Sequence, residues 1–89
     1  MEPTATAEIE ALLAPTYYKG RYENAIHDIQ GYLFAHPLAP DRNMARFFLA
    51  RCLYETGKYS EARDWFVNVR SEFPKESEYW IRRCVAKRP

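Results

Sequence analysis

The sequence predicts an all-α domain of about five helices, in which antiparallel helix hairpins stack side by side. Several segments carry apolar residues at the three- and four-residue spacing of a helix with one buried face. Prolines and glycines separate these segments at intervals of about one helix length. Residues 41–74 also repeat the pattern of an earlier stretch of the same chain, and such an internal repeat is typical of stacked helical units.

The internal repeat appears at an offset of 37 residues. We therefore predict a single domain over residues 1–89, with repeat 1 at about 6–40, repeat 2 at about 41–74 and a capping helix at about 77–87. Residues of the same type or class recur in both copies, and the pairs are Gly20 and Gly57, Tyr22 and Tyr59, Ala25 and Ala62, Ile29 and Phe66, Pro37 and Pro74, and Tyr17 and Tyr54.

The chain is expected to begin with a loose segment over residues 1–7. Thr4 or Thr6 can cap the helix that follows, because a threonine hydroxyl accepts a hydrogen bond from the first helical turn. Pro15 interrupts that helix, since a proline inside a helix removes a hydrogen bond and clashes with the preceding turn. We expect either a kink near residues 12–15 or two short helices, the second beginning at Pro15.

The middle of the chain predicts two longer helices. One should cover residues 22–35, after a turn at Gly20, and end before Pro37, because the residue before a proline avoids the helical region. Asp41 is a suitable cap for the next helix, since its carboxylate can accept amide hydrogens of the first turn. Residues 44–55 are apolar nearly all round, so that helix is predicted to lie at the centre of the fold.

The last third of the chain predicts two more helices. Gly57 turns the chain into a helix that Ser60 is expected to cap and Pro74 is expected to end. Ser77 should cap the final helix, whose buried side is predicted to carry Tyr79, Trp80, Ile81, Cys84 and Val85.

Length and charge bound the function. Eighty-nine residues make one small domain, and a net charge of +1 argues against a dedicated nucleic-acid binder. The charge is uneven, because residues 1–40 carry two basic and five acidic side chains and residues 41–89 carry eleven and seven. Basic residues cluster near the C-terminal end. They are either a solvated helix end or a contact for an acidic partner or membrane surface; the cluster is Arg82, Arg83, Lys87 and Arg88.

Catalytic and metal-binding patterns are not recognisable in the sequence. His27 and His36 have no acid, cysteine or serine at a motif spacing, and the glycines do not form a phosphate-binding loop. Cys52 and Cys84 lack metal-ligand spacing and are interpreted as buried thiols in a reducing compartment, with a disulfide or redox pair as the alternative. We therefore expect no enzymatic activity, no metal and no cofactor.

Targeting signals are also not recognisable. No apolar run approaches the roughly 20 residues that span a bilayer, and residues 1–15 lack the basic and apolar regions of a secretory signal. A cytoplasmic location is therefore expected.

In these repeated helix pairs the sequence resembles the tetratricopeptide repeat (TPR) family. The family pattern has Leu, a small residue and an aromatic on the first helix of a pair, then Ala-x3-Phe and a closing Pro. Arg46 stands where a tryptophan is usual, and Pro15 breaks the first helix of the earlier copy. The later copy keeps the spacing of the pattern, with Leu49, Ala50, Leu53, Ala62, Phe66 and Pro74 at the corresponding positions.

The resemblance implies a TPR-like α-α superhelix whose first helices line a concave groove for a peptide or helix of a protein partner. Family members that grip a C-terminal carboxylate use Lys and Asn there, but Phe47 and Arg51 occupy this face, which favours an apolar or acidic-apolar segment. The residues expected to contact the partner are Tyr17, Tyr18, Met44, Phe47, Phe48, Arg51, Tyr54 and Glu55.

Two alternatives to an open groove remain. Phe47 and Phe48 can pack against the final helix, or against a second copy in a homodimer, which would make the chain a self-association module. About two and a half units are fewer than the roughly three that stacked repeats usually need. We therefore expect an exposed end to be covered by a second copy, a partner or further chain.

Overall fold

The computed structural model describes residues 1–87 and is helical throughout its regular structure. No strand occurs in this part of the chain, and the prediction of an all-α fold with five helices is confirmed. Arg88 of the predicted basic cluster lies outside the described residues. The elements are α1 (Ala7–Leu13), a single 3-10 turn (Tyr17–Lys19), α2 (Tyr22–Ala35), α3 (Arg42–Glu55), α4 (Tyr59–Asn68) and α5 (Pro74–Lys87).

Helix α3 lies at the centre of the fold, as its composition predicts. It packs against α2 on one side and α4 on the other, and α4 packs in turn against α5. Every residue from 47 to 54 is buried. A helix that is apolar nearly all round is stable in water only when neighbours cover it on several sides, so the adjoining helices must stack on α3.

Aromatic rings connect the elements through α3. Phe47 meets Phe66 of α4 with ring centroids 5.2 Å apart, and Phe48 meets Tyr17 of the 3-10 turn at 5.5 Å. Phe66 in turn stacks on Trp80 of α5 at 6.3 Å. Edge-to-face and offset pairs at these distances are favourable beyond the area that they bury. The two consecutive phenylalanines therefore join opposite ends of the stack.

The two turn glycines have the left-handed backbone that their sequence context predicts. Gly20 has φ +73° and Gly57 has φ +82°. A side chain is disfavoured in this conformation, whereas glycine adopts it freely. Each glycine reverses the chain between two helices that pack against each other.

The first hairpin contains two short helical pieces, one of the two outcomes expected from Pro15. Helix α1 ends at Leu13, and a separate 3-10 turn begins at Tyr17. The Thr6 hydroxyl accepts a hydrogen bond from the Ile9 amide at 3.4 Å, which confirms Thr6 as the cap of α1.

Asp41 precedes α3, but its side chain does not cap the helix as predicted. The carboxylate instead accepts hydrogen bonds from the Tyr32 hydroxyl at 2.5 Å and the Thr6 hydroxyl at 2.8 Å. The backbone of Asp41 has φ −101° and ψ 22°, outside the extended region that a capping residue typically adopts, and its side chain bonds to the two hydroxyls instead. Asp41 thus joins α2, the start of α1 and the start of α3.

The predicted boundaries of α4 and α5 are also corrected. Ser60 lies inside the first turn of α4, which begins at Tyr59 without a side-chain cap. Helix α4 ends at Asn68, and Pro74 begins α5, because proline has no amide hydrogen to lose at a first helical position. Ser77 consequently lies within α5, where it is fully buried. Tyr79 and Val85, predicted to be buried, are 41% and 52% exposed, because the buried face of α5 carries Ser77, Trp80 and Cys84 instead.

The glycine conformations predict stability changes of opposite sign. Gly57→Ala should lower the free energy of unfolding by about 1 kcal/mol, because an alanine resists the left-handed backbone. Gly31→Ala, inside α2, should raise it by about 0.5 kcal/mol, because alanine restricts the unfolded chain and suits a helix. A Cβ at either position meets nothing within 4 Å. Urea unfolding followed by circular dichroism measures both, and equal effects would contradict the assigned turn.

The Asp41 contacts predict a loss of stability in acid. The hydrogen bond from Tyr32 holds the pKa of the Asp41 carboxyl below its usual value. The ionised carboxylate therefore stabilises the fold above about pH 4, and this contribution disappears as the pH falls through the lowered pKa of the folded protein.

Asp41→Asn tests this contribution. We expect the variant to lose about 1 kcal/mol at pH 7 and to be less sensitive than the wild type to acid below pH 4. Asp28→Asn, at an exposed position of α2, is the matched control and should change stability little. Thermal unfolding between pH 2 and 7 gives the comparison, and parallel pH curves for wild type and Asp41→Asn would refute the assigned role.

Candidate functional site

Residues 1–6, called the N-terminal arm below, lie along α3. The Trp80 indole nitrogen donates a hydrogen bond to the Met1 carbonyl at 2.6 Å, and Arg51 Nε donates to the Glu2 carboxylate at 3.0 Å. The Thr6 amide contacts the Met44 sulfur at 3.3 Å. The prediction of a loose segment over residues 1–7 is therefore wrong, because side chains of α3 and α5 hold the arm.

The arm runs antiparallel to α3, because Glu2 contacts Arg51 and Thr6 contacts Met44, seven residues earlier on that helix. Its contacts at Arg51 and Met44 are about 10 Å apart along the helix axis, at 1.5 Å per residue. The arm covers this distance between Glu2 and Thr6, which can span at most roughly 14 Å. The arm thus crosses about two turns of α3.

Arg51 is the centre of the site beneath the arm. Its guanidinium carbon lies 3.6 Å from the centroid of the Trp80 ring, and 5.8 Å and 5.7 Å from those of Tyr17 and Tyr54. Only 9% of the Arg51 side chain is exposed. Aromatic faces attract a guanidinium at these distances, most strongly where water is excluded. The three rings therefore form a cage that fixes the charge in place.

Two carboxylates neutralise this buried cation. Arg51 Nε binds Glu2, and Nη2 binds Glu55 at 2.9 Å, one helical turn further along α3. The third nitrogen, Nη1, is buried and has no hydrogen-bond partner within the described residues. A buried donor without a partner costs about 1–3 kcal/mol. Arg51 Nη1 is therefore free to donate a further hydrogen bond.

Tyr17 supplies a second donor to the same carboxylate. Its hydroxyl donates to Glu2 Oε2, the oxygen that also accepts from Arg51. Burial raises the pKa of Tyr17 well above its usual value, and the bond to Glu2 raises it further. The hydroxyl thus stays protonated at physiological pH, and the pocket presents a phenol and a guanidinium to one carboxylate.

The fold brings these groups together from three elements. Tyr17 follows α1 in the first unit, Arg51 lies on α3 in the second, and Trp80 lies on α5. Glu55 and Tyr54 share a face of α3 with Arg51, because residues three and four apart are neighbours on a helix. The site therefore exists only when the 3-10 turn, α3 and α5 are packed together.

The structure brings five of the predicted contact residues to the arm or the Arg51 cage: Tyr17, Met44, Arg51, Tyr54 and Glu55. Tyr18 is 51% exposed, and its hydroxyl donates to Glu10 at 3.0 Å, away from the cage.

The burial of Phe47 and Phe48 corrects the prediction that they line the groove. Phe47 has no exposed surface and Phe48 is 1% exposed. Phe47 faces Phe66 and Phe48 faces Tyr17, so both rings belong to the core of a single copy. They offer no surface to a peptide or to a second copy.

Glu2 and Trp80 are the site residues that the sequence analysis missed. Trp80 is predicted from the sequence only as a buried residue of the final helix. For Glu2 the only signal was the charge difference between the two halves of the chain, which favours contacts between them.

An open cleft of about 480 Å³ lies beside Met1, the first residue of the arm. Arg83 stacks over Tyr79 beside it, at 5.4 Å from the ring centroid. The cleft is lined by Met1, Lys75, Glu78, Tyr79, Arg82 and Arg83. Elsewhere, Phe34 at the end of α2 and Leu38 after it are 90% and 93% exposed.

Burial makes the two cysteine thiols unreactive. Burial raises the pKa of Cys52 to about 12 and also raises the pKa of Cys84, so both thiols are protonated at neutral pH. Within residues 1–87, no three His, Cys, Asp or Glu side chains cluster as metal ligands. The described helices are each too short or too polar to cross a membrane.

A family model described as the tetratricopeptide repeat matches residues 16–76. Searches of curated proteins and of solved structures found no match. The matched region contains both turn glycines, the whole of α2, α3 and α4, and Arg51 with two of its three aromatic neighbours. Repeats of this kind generally mediate protein–protein interactions. From this match and the stacked helices, we conclude that the chain belongs to the tetratricopeptide repeat family.

Proposed function

We propose that the protein is a non-enzymatic adaptor that binds an extended segment of a partner protein across the 3-10 turn, α3 and α5. The observation that carries this proposal is the N-terminal arm, which occupies that surface as a peptide ligand would. It is held by the Tyr17 hydroxyl, Arg51 Nε and Trp80 Nε1. The three donors come from the 3-10 turn, α3 and α5, and they hold one side chain and one backbone carbonyl of the arm.

The residue types at this surface support a binding role. Tyr, Trp and Arg are enriched among the residues that dominate the energy of protein interfaces. Here they are held rigidly by one another, which limits the entropy lost on binding. The protonated thiols of Cys52 and Cys84 support a role without nucleophilic catalysis.

The adaptor is proposed to act in the cytoplasm. Its two cysteines are free and buried, which suits a compartment where thiols stay reduced.

Self-association is the second candidate function. Phe34 and Leu38 are almost fully exposed, and apolar side chains this exposed are typical of an interaction surface when they form a patch. This contact would lie at the end of α2, since Phe47 and Phe48 are enclosed in the core. Sedimentation velocity across a range of concentrations separates the candidates, because a self-association module dimerises and an adaptor remains monomeric.

A pair of surface variants tests the groove against the end of α2. The partner is first purified from the native cell with the full chain as bait, and its affinity is then measured with purified proteins. Tyr79→Ala, at the cleft beside the arm, should weaken binding about tenfold, which corresponds to roughly 1.4 kcal/mol. Phe34→Ala is the control and should leave the affinity unchanged.

The opposite pattern would contradict the proposal. If Phe34→Ala abolishes binding and Tyr79→Ala does not, the partner binds at the end of α2. Circular dichroism of both variants checks that the helices are intact, and both side chains are exposed enough for substitution without loss of the core.

A further inference from the structure

We propose that the N-terminal arm is an internal competitor, and that the partner segment which displaces it places an acidic side chain in the Arg51 site. This inference rests on the proposed function and names both the chemistry of the partner and the element that regulates access. The arm covers the site in the unbound protein, and a Glu or Asp of the partner replaces Glu2.

The contacts of the arm are ones that another peptide can reproduce. Trp80 binds a backbone carbonyl, which every residue provides. Arg51 and Tyr17 bind a carboxylate, which only an acidic side chain or a chain terminus provides. The site therefore selects an extended segment that carries one acidic group next to an accessible carbonyl.

The arm satisfies this site incompletely. Glu2 uses a single oxygen, Oε2, for both of its bonds to Tyr17 and Arg51. Arg51 Nη1 has no hydrogen-bond partner within the described residues, and only 9% of the side chain is exposed to water that could serve as one. A guanidinium can bind a carboxylate through two parallel bonds when the geometry allows. A partner that presents both oxygens, or a further acceptor, makes a bond that the arm does not make.

The arm is also placed to leave the site. The Glu2 side chain is 29% exposed, and Met1 is 60% exposed. Both precede α1, so their release breaks no helix. A short tether gives the arm an effective concentration in the millimolar range, so an external segment must overcome this competition. The arm thus lowers the apparent affinity of the groove for every ligand that binds the same site.

The requirement for an acidic group follows from burial of the cation. Release of Glu2 leaves Arg51 with Glu55 as its remaining carboxylate. A buried charge that loses a partner is strongly unfavourable, so an occupant without a carboxylate displaces the arm at a penalty. A basic segment would add repulsion to that penalty.

The test uses the full chain with Glu2→Lys, which replaces the carboxylate by a cation next to Arg51. The probes are an N-acetylated, C-amidated peptide with the sequence of residues 1–7, MEPTATA, and the same peptide with Gln in place of its Glu. Dissociation constants are measured by titration in low salt. The indole N–H resonances report on the arm, because Trp80 contacts Met1 and Trp65 of α4 is the internal reference.

We expect Glu2→Lys to shift the Trp80 indole resonance and leave that of Trp65 unchanged. The variant should bind the Glu peptide at least tenfold more tightly than the wild type does, and bind the Gln peptide at least fivefold more weakly than the Glu peptide. Tyr17→Phe, added to Glu2→Lys, should weaken binding of the Glu peptide severalfold, because it removes one donor and keeps the ring. Tyr59→Phe on α4 is the matched control and should have no effect.

Each contrary result identifies the part that fails. Equal affinities of wild type and Glu2→Lys for the Glu peptide would overturn the competitor role and leave the proposed groove intact. Equal affinities for the Glu and Gln peptides would overturn the acidic requirement. If Glu2→Lys shifts the Trp80 resonance but binds neither peptide at millimolar concentration, both the ligand assignment and the groove itself are overturned.

Discussion

The structure depends on the carboxylates and aromatic rings that surround one buried cation, the Arg51 guanidinium. Arg51 lies on the central helix, where its neighbours exclude water, and a guanidinium is stable there only with aromatic faces and carboxylates around it. Trp80, Tyr17 and Glu2 meet this requirement from three separate parts of the chain. The contacts of Arg51 therefore hold these three parts of the chain together, and the proposed binding of an acidic extended peptide depends on the same contacts.

The helical stack was predictable because its signals are local and repeated. The spacing of Gly20 and Gly57 marks two equivalent turns, and both have the positive φ that only glycine adopts readily. The apolar surface of residues 44–55 requires a central helix, which is where α3 lies. Ser60 and Ser77 show the limit of this reasoning, because many residues can begin a helix, and Pro74 at the first position of α5 decided the boundary instead.

The site was predictable only in part, because it depends on contacts between distant residues. The face of α3 that carries Arg51, Tyr54 and Glu55 follows from helical periodicity. Burial of Phe47 and Phe48 depends on how closely the neighbouring elements approach, which periodicity does not specify. The position of Glu2 depends on a segment with no regular structure and hence no periodic signal. Buried side chains and non-helical segments are thus where the sequence interpretation failed.

Contact between the N-terminal arm and the Arg51 site is the central claim, and a double-mutant cycle measures it most directly. Glu2→Gln, Arg51→Gln and the double variant are unfolded in urea, and the coupling free energy is taken from the departure from additivity. A coupling of about 1 kcal/mol, decreasing as salt is added, is the result that the structure predicts. Additive effects of the two substitutions at every salt concentration would contradict it.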